Sequence, residues 1–172
     1  MLIFGEKVIK NRCNLMAYPA SLIAFAFVKK GIDEGKFVTQ MKLQKMVYFA
    51  QGVHLAKYHT PLINETFQAW MYGPVIPDIY NDFKLYGSRP ITDTVEFTPS
   101  PSYTPPFRLD AEAHDTINYT WGVLKDFSAM SLSNWTHQPD GPWSKVYVPD
   151  VKSTPINNDD IKLYFERLLI RA

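Results

Sequence analysis

Residues 39–58 read TQMKLQKMVYFAQGVHLAKY, and the reading of this stretch decides the fold. Leu43, Met46, Val47, Ala50 and Val53 recur at helical spacing, while Tyr48, Phe49 and Leu55 supply a second apolar side. Thr39 is an N-cap type standing just before the periodic run, so the spacing predicts a helix from there to about Tyr58. Its polar positions narrow to one stripe of Gln40, Gln44 and Gln51, with Lys42 and Lys45 beside it. A helix apolar over most of its circumference belongs at the centre of a domain. The expectation is a buried hub whose polar stripe forms a solvated edge.

Outward from that hub, an N-terminal helix is expected from Ser21, read as its cap, to Lys30, with Gly31 and Gly35 bracketing its exit. C-terminal to the hub the period changes at the Thr60-Pro61 turn. Phe67, Ala69 and Met71 alternate with Gln68 and Trp70, which predicts a short strand. In Tyr72-Gly73-Pro74-Val75-Ile76-Pro77, each proline disfavours α geometry in the residue before it. Gly73 and Ile76 are therefore expected to be extended, with Pro77 at the first position of a helix that Gly87 stops. Residues 88–109 hold five prolines, Pro90, Pro99, Pro101, Pro105 and Pro106; they read as a surface excursion whose weak strand, 94–98, could pair with 66–71. Asp110 caps a further helix carrying Ile117, Trp121, Leu124 and Phe127. Ser131 is read as the cap of a short helix through His137, Gly141-Pro142-Trp143 as a turn, and Asn157 or Asn158 as the start of the last helix. That helix bears Ile161, Tyr164, Phe165, Leu168 and Leu169 on one stripe.

The fold class that results is mainly α (α+β with a minor two- or three-stranded antiparallel sheet), a compact single domain built around a central buried helix. Residues 1–15 look unlike the rest and are taken as an N-terminal extension to a domain spanning 16–172; they read either as a genuine arm or as sequence upstream of a native start at Met16, with the second slightly favoured.

Composition limits the function. A net charge of +1 leaves no global field to hold nucleic acid or an anionic membrane. The longest apolar run, residues 22–28, is seven residues, against about 20 for a membrane span. A single cysteine, Cys13, rules out an internal disulfide and a cysteine metal site, and a cytoplasmic location is expected. No glycine-rich phosphate loop occurs, and His54 and His59 are spaced onto different helix faces. No metal, cofactor or enzymatic role is expected. Ser131 or Ser133 with His137 and Asp140 could be drawn as a triad, but capping is the simpler account of Ser131. Nucleic-acid binding is the stronger alternative. Helix one, a glycine-bounded turn and Thr39 with Met41-Lys42-Leu43-Gln44-Lys45 resemble a helix-turn-helix with Gln and Lys aimed at bases. Without a basic stripe to supply the phosphate term, that reading ranks second.

The remaining surface chemistry is aromatic. Trp70, Tyr72, Gly73, Pro74 and Pro77 concentrate large rings and stiff backbone at a strand-to-helix junction, and Trp135, His137 and Trp143 form a second cluster. Such residues anchor protein interfaces. For Trp135 and Trp143 a core or clamp role is the simpler reading, and for Gly73 and Pro74 a turn-setting one.

Residues 41–52 (MKLQKMVYFAQG), Pro61-Leu62, residues 68–77 (QAWMYGPVIP), Tyr80 and Tyr86-Gly87 together resemble the Panacea domain family, which includes SocA-like and GepA-like phage-associated proteins. Leu132, Thr136-His137, Gly141-Pro142-Trp143 and the stretch 156–165 fit the same pattern. The resemblance implies a mostly helical antitoxin domain, encoded beside a toxin gene, often on a prophage, that neutralises the toxin by direct contact. A SocA-like member instead delivers its toxin to the ClpXP protease as an adaptor. No catalytic residues come with the resemblance. The candidate partner-binding set is Trp70, Tyr72, Gly73, Pro74, Pro77, Tyr80, His137 and Trp143. Residues 1–15 and the proline-rich 98–106 depart from the family pattern.

Overall fold

The computed structural model describes residues 17–93, 108–151 and 154–171. The expected N-terminal extension with Cys13, the 94–98 strand and the proline-rich 98–106 segment lie outside them. Seven α-helices and one two-stranded sheet occur among the described residues: α1 (Ala20–Asp33), α2 (Gln40–Tyr58), β1 (Gln68–Trp70), β2 (Gly73–Val75), α3 (Pro77–Phe83), α4 (Ala111–Leu124), α5 (Ala129–Thr136), α6 (Pro142–Val146) and α7 (Asn158–Arg171). A 3₁₀ turn, Lys84–Tyr86, extends α3 towards Gly87.

Helix α2 is the hub that its sequence predicts. The side-chain oxygen of Thr39 accepts from the Lys42 N–H at 3.3 Å, which starts the helix where expected. α1, α4, α5 and α7 all pack against it. Tyr48 is buried between Phe67 and Phe165, both edge-on, at centroid distances of 5.2 and 5.9 Å. Opposite α7, position 52 must be glycine. A Cβ there would lie 2.2 Å from the Phe165 ring, which packs directly on the bare backbone of α2.

The polar stripe corrects the expectation of a solvated edge. Lys42, Gln44, Lys45 and Gln51 are all buried. Each bonds backbone groups that lie outside its own helix. Gln51 Oε1 accepts from both Leu62 N–H (2.8 Å) and Ile63 N–H (3.1 Å), while its amide donates to Asn158 Oδ1 at 3.1 Å. Gln44 brackets Ile76, accepting its N–H at 2.9 Å and donating to its carbonyl at 3.1 Å. Lys42 donates to the Lys125 carbonyl at 2.5 Å. A buried backbone group left unpaired is costly, so these side chains take the place of a neighbouring strand.

Other boundaries shift for local reasons. α1 starts at Ala20, whose N–H donates to Glu65 Oε2 at 2.8 Å. Ser21 is therefore inside the helix, and its hydroxyl bonds the Asp82 carboxylate instead of capping. The helix also runs through Gly31 to Asp33, past the expected stop at Lys30. Ser128, not Ser131, caps α5, accepting from Ser131 N–H at 3.0 Å. Gly141-Pro142-Trp143 begins a helix where a turn was expected, with Pro142 in its first turn. Asp110 caps α4 by accepting from Ala113 N–H at 2.8 Å, and α7 begins at Asn158, both as predicted.

The sheet is antiparallel, pairing Gln68 with Val75, Ala69 with Pro74 and Trp70 with Gly73. β2 was not foreseen as a strand. On the other side of β1 the chain entering α7 adds two bonds, Ala69 N–H to the Thr154 carbonyl (2.9 Å) and Ile156 N–H to the Phe67 carbonyl (2.8 Å).

Replacing Gln51 with Leu strands two buried N–H groups at an otherwise apolar site. The expected loss is about 1–3 kcal/mol for each, read as a lower urea midpoint with an unchanged m-value. A loss below about 0.5 kcal/mol, the range of ordinary surface changes, would show that water replaces the amide.

Candidate functional site

The hairpin β1–β2 turns through Met71 and Tyr72, which are 60% and 54% exposed. Four contacts hold its backbone from behind. The Tyr72 carbonyl accepts from Ser133 Oγ at 2.9 Å, the Trp70 carbonyl from Trp143 Nε1 at 2.8 Å, the Pro74 carbonyl from Lys45 Nζ at 2.9 Å, and Ile76 sits in the Gln44 bracket. The main chain is fixed while the loop side chains face outward.

Gly73 has φ +103°, a conformation that side chains disfavour, and a Cβ there would lie 2.5 Å from Thr136 Oγ1 and 2.9 Å from Lys45 Cε. Both backbone and space require glycine, so the turn-setting reading of Gly73 holds, although its φ is positive where an ordinary extended strand was expected. Pro77 opens α3. Tyr80, 42% exposed, packs one turn on against Trp70, with ring centroids 5.3 Å apart.

Behind the hairpin, Trp143 is buried between two rings, His137 at 3.9 Å and Tyr147 at 4.3 Å, the latter stacked. Its core role follows from this packing and from its bond to Trp70. Trp135 is half-buried against Phe49, Tyr164 and Phe165 and belongs to the core side of α5.

The eight expected positions thus form one connected cluster in two layers. Tyr72 and Tyr80 are exposed, Trp70, Pro77 and His137 half-exposed, and Gly73, Pro74 and Trp143 buried. Trp70, Tyr72 and Tyr80 line a cavity of about 790 Å³ together with residues that the sequence did not single out for the site, among them Met41, Lys45, Tyr147 and Val151. Lys45 carried one legible signal. The 19-residue α2 contains no acidic residue, so its lysines have no carboxylate on their own helix.

Electrostatically the cavity is unusual. Lys45 is 2% exposed, and burial lowers its ammonium from the ordinary 10.5 to about 7. His137 is also held below its usual range, by burial first and then by the Lys45 charge. Its Nε2 is buried without a hydrogen-bond partner among the described residues.

The other candidate chemistries find different roles. Ser133 is committed to the Tyr72 carbonyl and Ser131 to Ser128, so neither hydroxyl is directed at His137. Thr116 donates to the Glu112 carbonyl, which leaves its oxygen to accept from His54 Nδ1–H at 2.9 Å. His59 closes α2 in a left-handed conformation. No group of three or more His, Cys, Asp or Glu among the described residues could hold a metal, and no described helix is long and apolar enough to cross a membrane. As a base-reading helix α2 fails: Lys42, Gln44 and Lys45 point inward and are bonded to backbone.

Residues 43–144, well over half of the chain, match the family described as antitoxin SocA-like, Panacea domain. The chain belongs to the SocA-like Panacea family. It is also 31% identical over 114 residues to antitoxin SocA of Caulobacter vibrioides, a match covering 63% of this chain and 60% of the relative. The chain thus spans about three fifths of that relative's length. No solved structure matches it. Within the Panacea match fall α2 from Leu43 onward, the hairpin, and α3 to the start of α6. Every expected contact residue lies inside it.

Lys45 makes stability depend on pH in a definite direction. The folded state gives up this proton near pH 7 and the unfolded chain near 10.5, so between those values the unfolded state binds more protons and stability rises with pH. Below pH 7 both states are protonated, the slope vanishes, and the cost of burying the charged head group is fully present. Lys45→Gln is expected to remove the rise, so the melting temperature of the parent gains on that of the variant between pH 7 and 9. Parallel melting curves across that range would place the ammonium in water.

Proposed function

We propose that this chain is an antitoxin that neutralises a cognate protein toxin, the product of a neighbouring gene, by direct contact in the cytoplasm. The contact face is the hairpin tip with the mouth of the cavity, formed by Met71, Tyr72, Tyr80 and the outer edge of Trp70. One observation carries this reading: large apolar side chains stand exposed on backbone that is bonded from behind, within the family-matched stretch. Exposed rings on a fixed frame lose little entropy on binding. Aromatic anchors of this kind dominate interface energetics. Adaptor delivery of the bound toxin to ClpXP is the extended form of the proposal, and it needs the same contact.

The antitoxin reading is tested with the adjacent reading frame. Its product expressed alone should arrest growth, and co-expression of this chain should restore it; a harmless neighbour removes the basis of the proposal. Adding purified ClpXP to the complex then separates the two forms, since an adaptor accelerates loss of the toxin and a simple blocker protects it.

The face is tested separately with Met71→Ser/Tyr72→Ala. This double variant should weaken toxin binding about 10- to 100-fold, as loss of an interface anchor does. Its melting temperature should stay within about 2 °C of the parent, because both side chains are exposed. Undiminished affinity would move the interface elsewhere. Trp70→Ala is a poorer probe, because the half-buried Trp70 ring packs on Tyr80 and its indole N–H bonds Gln68.

A further inference from the structure

The cavity beneath the hairpin holds a lysine head group that meets no counter-charge among the described residues. An ammonium withdrawn from water needs an anion or a full set of dipoles around it. The structure gives Lys45 one hydrogen bond, to the Pro74 carbonyl. Burial lowers its proton affinity, and no carboxylate among the described residues is near enough to oppose it. The buried Lys42 differs, since the Asp126 carboxylate partly offsets its burial.

The titratable neighbours of Lys45 are few. His137, at the end of α5, shares its sign. Tyr72 on the hairpin loop, Tyr80 on α3 and Tyr147 after α6 line the same cavity. Asp150 is the one carboxylate in the lining. It is exposed and does not figure among the influences on Lys45.

Backbone satisfaction alone does not call for a lysine here. Gln44 and Gln51 meet the same need on the same helix with neutral amides. Position 45 uses a cation instead, and it does so where the side chain lines a cavity. Gly73 leaves the space that the head group occupies, since a Cβ at position 73 would lie 3.0 Å from Nζ. The cavity around it is mostly apolar, with Trp70, Met71, Tyr72, Tyr80 and Val151 in its walls and rim. At about 790 Å³ it falls in the size range of ligand sites.

We propose that Lys45 is the anchoring cation of a carboxylate subsite, filled by one acidic side chain that an apolar segment of the partner protein inserts into this cavity. The apolar walls take the segment and the ammonium takes its charge. The inference rests on the proposed function for the source of the occupant; the subsite itself belongs to this chain and is testable without a partner. Charge complementarity commits it to an acidic occupant, because a carboxylate favours the charged form that burial disfavours, whereas an apolar segment alone would only deepen the burial.

The test uses the full chain and a simple pair of probes, 3-phenylpropanoate and 3-phenylpropanamide, followed by NMR titration. The carboxylate should shift the indole signals of Trp70 and Trp143 saturably, and the amide should bind at least about tenfold more weakly, the loss expected when a charged hydrogen bond goes. In Lys45→Gln, which keeps a donor for the Pro74 carbonyl but no charge, the two probes should bind alike. Equal binding of both probes to the parent, or discrimination that survives in Lys45→Gln, overturns the subsite. Chemical shifts of the unliganded variant report whether it is folded. If it is not, Tyr72→Ala replaces it, and loss of saturable carboxylate binding there supports the cavity as the site.

In the complex, acidic residues of the toxin are changed singly to their amides. One such change should reproduce the loss seen with Lys45→Gln and show no further loss in combination with it. Loss only on amidation of the toxin's C-terminus would overturn the side-chain source. Failed probe discrimination with neutralisation intact rejects the subsite alone. A harmless neighbour with probe discrimination intact rejects the antitoxin reading alone.

Discussion

The structure depends on buried side-chain amides of α2 bonding main chain that has no ladder partner on that side. Gln51 accepts the N–H groups of Leu62 and Ile63, and Gln44 closes both the donor and the acceptor of Ile76. The segment leaving α2 is irregular, the residue following β2 is extended, and both Leu62-Ile63 and Ile76 are buried beside a helix. Helices offer no free main-chain groups to their sides, so those segments would be stranded next to any ordinary apolar helix. Glutamine resolves the conflict because one planar amide donates and accepts at once. α2 is thus both the centre of the core and the surface on which the irregular chain is laid out.

The same constraint shapes the candidate site. Ile76 is fixed by Gln44, Pro74 by Lys45, Tyr72 by Ser133 and Trp70 by Trp143. Every one of these bonds reaches the hairpin from its inner side. What remains free is the outer side, where Met71 and Tyr72 occupy the turn and Tyr80 stands beside them. A short two-stranded hairpin is not stable by itself. Here it is rigid because three helices, α2, α5 and α6, bond its carbonyls, and that rigidity turns exposed aromatic area into a binding surface at small entropic cost.

Periodicity made much of this legible. The apolar spacing in 40–58, 111–124 and 158–171 places α2, α4 and α7 correctly, and Thr39 and Asp110 mark starts that their cap bonds explain. The failures share a cause. Gln44, Gln51 and Lys45 look like a surface stripe because their partners lie 11 to 107 residues away, and no local pattern encodes such partners. Ser128 and Ser131 are both good cap types three residues apart, and only the geometry selects the first. Alternation predicted Met71 to face inward with Phe67 and Ala69. It faces out because the strand ends at Trp70 and the turn resets the facing. The aromatic positions of the site were legible as a group because rigid, ring-rich sequence at a strand-to-helix junction is uncommon. The cavity was not, since Lys45, Tyr147 and Val151 meet only through the tertiary fold.

The limits of the family match separate fold from site. Residues 43–144 contain every expected contact residue, yet they do not contain the whole core. Tyr48 and Gly52 of α2 are closed by Phe165 from α7, and Phe27 and Ile23 from α1 are fully buried in the same cluster. The matched stretch therefore shares its core with helices at both ends. A packed neighbour can be replaced by different side chains of similar volume with modest loss, whereas the hairpin needs glycine at 73 for both its φ and its contacts.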